Sequence, residues 1–263
     1  MRPVTCVIVF SLALMAIKSH SLEAPISQPQ ENWDIKLGAF SMSKSLPWKG
    51  ANNQALVLPG FDVRKGNWQF SIETPIKYHL PKTNQFHPYM ALTVRNDGYD
   101  SDTLAFTKLD THKVFTGYDK PKDEIVAIAG FNMASAAFEA STDISNHSNG
   151  VSLTASYAYP VMQWQKRFQL SMGPAIYWHN KNYVNYYYGV SDTQVNEAVN
   201  RSFYHTQSAT NYQFFVKAQL KIDASWMMLV NLNHTQLDNH ISDSPLIESK
   251  YQQAVSVIIA YQL

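Results

Sequence analysis

The sequence predicts an all-β protein, an antiparallel transmembrane β-barrel of about 10–12 strands, with about 12 as the best count. Three observations predict this fold: an export signal at the N-terminus, apolar–polar alternation along most of the chain, and a strongly alternating strand at the very C-terminus. A soluble domain seldom ends on its best apolar strand. The last strand of a barrel must pair with the first, because closure leaves no open edge in the membrane.

The N-terminus has the features of a secretory signal. Arg2 gives a positive start, and residues 7–17 are apolar apart from Ser11. This run is too short for a membrane helix, which needs ~20 residues, but it fits the apolar region of a signal peptide. The predicted organisation is a signal peptide over residues 1–21, with cleavage as late as residue 24, a short N-terminal segment over 22–32 and the barrel over 33–263.

Composition excludes several classes of protein. The single cysteine, Cys6, lies inside the signal, so the mature chain has no thiol for a disulfide, a metal or a nucleophile. With 21 basic and 20 acidic residues, the charge gives no reason to expect a nucleic-acid partner. The chain holds 13 Phe, 15 Tyr and 6 Trp, an aromatic content that suits a β-rich membrane protein.

The alternating runs follow one another along the chain and are separated by turn-forming sequences. In order they cover residues 33–39, 68–80, 90–94, 125–131, 151–159, 213–223, 226–233 and 254–263. The aromatics expected in girdles near the strand ends are Trp33, Trp68, Tyr89, Trp164, Tyr177, Trp178 and Trp226. The polar segments 98–122, 191–208 and 236–249 are predicted to be loops.

Strand counting exposes one conflict. With the N-terminus in the periplasm, the count places 98–122 at the periplasmic end, where turns are normally short. The conflict has two explanations. Either the pattern hides a strand pair, expected near residues 103–116, or 98–122 is an unusual periplasmic element that would be a natural partner-binding site; the strand pair is the favoured prediction.

Face assignments follow from the alternation. Lys217, Lys221 and Asp223 are predicted to face the lumen, opposite an apolar face that meets outer-membrane lipid. On the last strand, the predicted apolar stripe also serves recognition by the barrel-assembly machinery, and it consists of Val255, Val257, Ile259, Tyr261 and Leu263.

No pattern of catalytic, cofactor-binding or metal-binding residues is found. The nine histidines lack a zinc spacing, and neither a Gly-x-Ser-x-Gly elbow nor a phosphate-binding glycine loop is present. The predicted protein is therefore not an enzyme and has no cofactor. Two alternatives stay open: a narrow passive channel, and a lipid-modifying barrel enzyme that would use His147 and Ser148.

Two segments resemble a known family. Segment 185–191 contains Tyr187, Tyr188, Gly189 and Val190, and segment 243–247 contains Asp243, Ser244 and Pro245. Both are similar to segments of the MipA/OmpV family, the MltA-interacting outer-membrane proteins. Weaker similarities cover residues 46–50, 115–119 and 143–150. The chain ends on Leu263, where the family favours a terminal aromatic.

The resemblance implies a location and a role. It implies a Gram-negative outer-membrane barrel, exported through a cleaved signal peptide. It also implies a non-enzymatic scaffold that links a murein transglycosylase, which is a peptidoglycan hydrolase, to a murein synthase.

Overall fold

A computed structural model describes residues 32–51, 53–83, 85–99 and 112–263. The predicted signal peptide therefore lies outside the described residues. The strands are β1 (Asp34–Lys44), β2 (Gln54–Lys65), β3 (Trp68–Ser71), β4 (Ile76–His79), β5 (Phe86–Arg95), β6 (Glu124–Met133), β7 (Ala136–Asp143), β8 (Val151–Tyr157), β9 (Tyr159–Trp164), β10 (Phe168–His179), β11 (Ala209–Lys221), β12 (Trp226–Gln236) and β13 (Tyr251–Gln262). Two α-helices, α1 (Lys181–Tyr188) and α2 (Asn239–Ser242), lie in the loops.

The strands form one closed antiparallel barrel. The last strand, β13, pairs with β1 from Lys36–Gln262 to Lys44–Ala254, which closes the sheet. β8 and β9 follow each other along the same side of β10 and are separated only by Ala158. Counted as one interrupted strand, they give a barrel of 12 strands. The predicted fold class and the role of the terminal strand in closure are confirmed.

The alternating run over residues 68–80 is not one continuous strand. This segment is a short hairpin, with β3 and β4 joined by residues 72–75 and paired from Trp68–Tyr78 onward. The turn is closed by a hydrogen bond from the Ser71 amide to the Thr74 carbonyl, 3.3 Å long. Because the four-residue turn preserves the two-residue period, the reversal leaves no break in the alternation.

This hairpin resolves the conflict in the strand count. The missing strand pair lies at 68–79, not near 103–116, and residues 103–111 of that range are outside the described residues. With the pair included, the segment from 96 to 123 joins the same end as the other long loops, 180–208 and 237–250. The opposite end carries the turns at 66–67, 134–135, 165–167 and 222–225. Short turns identify the periplasmic end and long loops the extracellular end.

The two faces of the wall differ as predicted for most strands. On the outer face, Phe214 and Leu232 are 48% and 45% exposed, whereas luminal Lys217 is 4% exposed. Lys221 lies at the exposed end of its strand. Two of the expected girdle residues face the lumen instead: Tyr89 is buried and donates to Glu139 at 3.0 Å, and Tyr177 is paired with luminal Asn211. The exposed Trp33, Trp68, Trp164 and Trp226 mark the periplasmic end.

Introducing a charge on the outer face of β11 tests the lipid boundary. Val216→Arg places a guanidinium near the middle of the strand, where Arg costs about 2–4 kcal/mol at the bilayer midplane. We expect a clear loss of folded protein in the outer membrane, measured as the heat-modifiable band in electrophoresis. Gln165→Arg, in an exposed periplasmic turn, is the matched control. Equal folded yields of the two variants would contradict the assignment of this face.

Candidate functional site

The long loops pack together inside the extracellular end of the barrel. One cluster, which we call the loop cap, gathers buried apolar side chains from residues 45–51, 96–99, 112–123, 180–208 and 237–250 and from Ala209 at the start of β11. Its members are Trp48, Tyr99, Val114, Phe115, Tyr183, Val184, Tyr187, Tyr188, Val190, Ala209, Leu237, Ile241, Leu246 and Ile247. The prediction of polar loops at 98–122 and 236–249 missed apolar residues within them, among them Tyr99, Val114 and Ile241. The loop cap is the largest described core of the protein.

Helix α1 supplies four residues of the loop cap. The Asn180 side chain accepts a hydrogen bond from the Tyr183 amide at 3.0 Å and so caps the helix N-terminus. Tyr183, Val184, Tyr187 and Tyr188 share one face of the helix and are 0–4% exposed.

Gly189 ends α1 by donating its amide to the Asn185 carbonyl at 3.0 Å. A Cβ at Gly189 would lie 2.3 Å from that carbonyl oxygen, so the close approach requires glycine. Val190, next in the motif, is 1% exposed. The Tyr-Tyr-Gly-Val motif thus has a structural explanation.

The second motif contacts the first directly. Ser244 is buried and its hydroxyl donates to the Tyr188 carbonyl at 2.6 Å. Asp243 is exposed and its amide donates to the Asn239 carbonyl at the end of α2. Pro245 is half-buried and leads into Leu246, which is fully buried. The structure therefore brings together two segments that the sequence separates by more than fifty residues.

Two of the three weaker family-like segments join the same cluster. Trp48, from residues 46–50, stacks on Tyr188 with ring centroids 5.2 Å apart and an interplanar angle of 15°. Its edge contacts include Phe115, from residues 115–119, at 6.4 Å. The backbone of Trp48 also forms a β-bridge with Ile247.

A group of buried charges lies directly beneath the loop cap. Glu124 is 0% exposed and its Oε2 accepts hydrogen bonds from Arg95 Nε and Nη2, at 2.9 and 2.7 Å. The Tyr187 hydroxyl donates to the same oxygen at 2.7 Å, and the Ser148 amide reaches Oε1 at 3.2 Å. Glu124 therefore joins two strands, the 144–150 loop and helix α1.

Asp97 is a second buried carboxylate that contacts helix α1. The Tyr183 hydroxyl donates to Asp97 Oδ2 at 2.6 Å, and Arg95 Nε lies 3.9 Å from the same oxygen. Burial raises the pKa of Asp97, and the Arg95 charge opposes that rise. Burial, reinforced by the neighbouring carboxylates, also raises the pKa of Tyr183 and Tyr187. Both phenols are thus protonated donors at neutral pH.

The 143–150 segment is a structural turn. Asp143 accepts hydrogen bonds from the amides of Ser145, His147, Ser148 and Asn149, at 2.7–3.0 Å. His147 Nδ1 lies 2.7 Å from the Asp123 carbonyl, while the Ser148 hydroxyl accepts from the Gly150 amide at 2.8 Å. The contacts described for His147 and Ser148 are thus ones that hold this turn together.

One serine–histidine contact was missed by the sequence analysis. Ser152 Oγ and His179 Nδ1 are 2.8 Å apart, on adjacent luminal positions of β8 and β10. Both residues are buried, and the imidazole stacks on Tyr183 at 4.1 Å, beneath the loop cap. Alternation could place each residue in the lumen, but only the strand register shows that they meet.

The predicted apolar stripe of β13 lies on the outer surface. Val255, Ile259, Tyr261 and Leu263 are 44%, 39%, 37% and 67% exposed, and Val257 is half-buried. The Leu263 amide donates to the Ile35 carbonyl at 3.0 Å, which places the chain end against β1. The role of this stripe in recognition by the assembly machinery stays a prediction.

The chain end provides a test of that role. Leu263→Phe adds an aromatic ring at an exposed position of the membrane boundary, where aromatic residues are favoured. We expect assembly at least as fast as that of the parent, measured by pulse-chase of the heat-modifiable form. Leu263→Ala serves as the control for side-chain loss. Slower assembly of the Phe variant would contradict the assigned role.

Comparison with known proteins agrees with this architecture. The family described as MltA-interacting protein MipA matches residues 37–263. Outer membrane protein Omp26La of Vibrio anguillarum is 23% identical over 258 residues, covering 94% of this chain and 93% of the relative. Putative outer membrane protein YiaT of Escherichia coli K12 is 23% identical over 230 residues, covering 82% and 85%. The solved structure of OprD from Pseudomonas aeruginosa shares 10% identity and a TM-score of 0.33, covering 90% of this chain and 66% of that chain.

The relatives and the closed barrel locate the protein in the outer membrane. No described helix is long and apolar enough to cross a membrane. The family match extends over nearly all of the barrel, and the family-like motifs contribute half of the loop-cap residues. The chain therefore belongs to the MipA family of MltA-interacting outer-membrane proteins.

Proposed function

We propose that the protein is a non-enzymatic outer-membrane scaffold that brings a murein transglycosylase and a murein synthase together on its periplasmic side. The observation that carries the proposal is a barrel filled and capped from within. A conducting pore would leave its luminal side chains in water. Here luminal Ser171, Val126 and Met42 are 0–2% exposed, and the loop cap covers the extracellular end.

The partners are supported by family membership alone. The family is described by its interaction with MltA, a murein transglycosylase, and the murein layer lies on the periplasmic side. Partner binding therefore uses the end that carries the short turns at 66–67, 134–135, 165–167 and 222–225. The loop cap contributes rigidity to the barrel and lies too far away to touch such a partner.

Affinity capture tests the scaffold role. Full-length protein is immobilised in detergent and exposed to solubilised envelope, and the bound fraction is assayed for transglycosylase and synthase activity. An unrelated outer-membrane barrel is the control. We expect enrichment of both activities, and recovery no better than that of the control barrel would refute the scaffold.

A bilayer recording tests the channel alternative. We expect no stepwise conductance from the parent protein in planar bilayers, because the lumen is filled and capped. Steady unitary currents would favour a passive channel instead.

A further inference from the structure

The barrel wall is incomplete beside the extracellular half of β2. Within the described residues, β3 pairs only with Asp62–Lys65 of β2, so residues 54–60 have no neighbouring strand on that side. Across the opening, β5 pairs with β4 only through Tyr89–Leu92. Seven unpaired residues correspond to roughly 20 Å along the strand. Membrane barrels otherwise close such edges, because unpaired backbone groups are costly in lipid.

The luminal surface next to this opening is apolar. Phe40 and Met42 on β1 pair with Leu58 and Leu56 on β2, and all four side chains face inward. We call these four residues the apolar strip. Phe40 and Met42 are 4% and 2% exposed, whereas Leu56 and Leu58 are only half-buried. The lumen of such a barrel is normally polar, so this strip is unusual.

A row of hydrogen-bond donors lies one step above the strip, toward the loop cap. The pairing places Asn233, Ala254, Lys44 and Gln54 side by side across β12, β13, β1 and β2. We call Asn233, Lys44 and Gln54 the donor row. Lys44 and Gln54 are 7% and 6% exposed and make no described side-chain hydrogen bond. Asn233 Nδ2 is buried without a hydrogen-bond partner.

Buried polar groups without partners are uncommon and call for an acceptor. The charge that acts on Lys44 is the Asp97 carboxylate, which also accepts from Tyr183 and lies near Arg95. Asp97 is therefore shared among several donors. An additional oxygen acceptor at the donor row would give Asn233 Nδ2 the partner that it lacks and would give Lys44 a second anionic neighbour besides Asp97.

We propose that the lumen binds a long-chain fatty acid, which enters sideways from the membrane between β2 and β5. Its carboxylate accepts hydrogen bonds from the donor row, and its alkyl chain lies in the opening against Leu56 and Leu58, the half-buried members of the apolar strip. The opening supplies access, the strip supplies apolar surface, and the donor row selects an anionic oxygen head. This inference goes beyond the scaffold role and does not depend on it.

Binding is measured with tetradecanoate and tetradecanol, using the full-length protein in nanodiscs of zwitterionic lipid and native mass spectrometry. We expect saturable binding of one tetradecanoate per barrel. Lys44→Met should weaken tetradecanoate at least tenfold and weaken tetradecanol much less, because only the carboxylate carries a charge that pairs with the Lys44 ammonium. Asn233→Leu, which removes an unpartnered amide, should weaken tetradecanoate in the same direction.

Two substitutions on β2 test whether the ligand occupies the opening and contacts the apolar strip. Leu58→Trp fills the strip and should weaken both ligands at least tenfold. Val57→Trp, on the adjacent outward-facing position, should change neither. Heat-modifiable migration confirms that each variant is folded. Unchanged tetradecanoate binding in folded Lys44→Met, or equal losses in the two Trp variants, would overturn the proposal.

Discussion

Replacing Glu124 with alanine is expected to lower the free energy of unfolding by about 3–5 kcal/mol, the usual effect of removing one partner from a buried ion pair. The loss is large because Arg95 would remain buried without the two short hydrogen bonds it makes to Glu124. The Tyr187 hydroxyl and the Ser148 amide would lose their acceptor as well. Urea unfolding in detergent micelles, followed by tryptophan fluorescence, measures the change.

Two variants calibrate this result. Glu197→Ala removes a carboxylate from an exposed loop position and should change stability by less than about 0.5 kcal/mol. Tyr187→Phe removes a single hydrogen bond to Glu124 and should cost about 1–2 kcal/mol. If Glu124→Ala were as stable as Glu197→Ala, Glu124 would not be the residue that ties the loop cap to the barrel wall.

Trp48→Ala is expected to destabilise the protein by about 3–5 kcal/mol, as large-to-small substitutions of buried aromatic residues do. Trp48 is 2% exposed and contacts Tyr99, Phe115 and Tyr188 in the loop cap. Its removal leaves a cavity among these three aromatic rings. Protease digestion of the loops in sealed vesicles should become faster, and urea unfolding should shift to lower denaturant.

Phe203→Ala is the matched control for Trp48→Ala. Phe203 is also an aromatic residue of a long loop, but it is 53% exposed, so its loss should have little effect on stability or digestion. Similar digestion rates for the two variants would show that the loops are held by something other than the apolar packing of the loop cap.

The barrel class could be predicted from the sequence because the signal is local. Alternation with a period of two assigns each side chain to a face, whatever the rest of the chain does. It placed Lys217 in the lumen and the stripe of β13 outside, as the structure has them. Alternation also predicts that Tyr89 faces the lumen, because its neighbours Pro88 and Met90 face outward. The assignment of Tyr89 to an aromatic girdle rested on residue type and ignored this alternation.

The β3–β4 hairpin shows where local pattern fails. Residues 72–75 reverse the chain without disturbing the alternation. The alternation of side chains is therefore identical whether residues 68–79 form one long strand or two short ones. Only the pairing partners distinguish the two cases. The same short hairpin leaves the edge of β2 open, so the feature that the sequence hid is also the basis of the fatty-acid proposal.

The loop cap could be predicted only in part. The motifs at 185–191 and 243–247 stood out through family resemblance, but nothing in the sequence showed that Ser244 bonds to Tyr188. The central residue of the buried charges, Glu124, carries no sequence signal, since an isolated acidic residue at a strand start is usually exposed. Its partner Tyr187 is 63 residues away in the chain.

The sequence by itself determined that this protein is an outer-membrane β-barrel with an outward apolar stripe on its last strand, because alternation is a property of neighbouring residues. Only the tertiary structure decided that the loops close the barrel from within, that Glu124 joins them to the wall, and that residues 54–60 of β2 have no neighbouring strand on one side among the described residues. Those features depend on strand register and chain reversal, which bring together residues far apart in the chain and leave no trace in local periodicity.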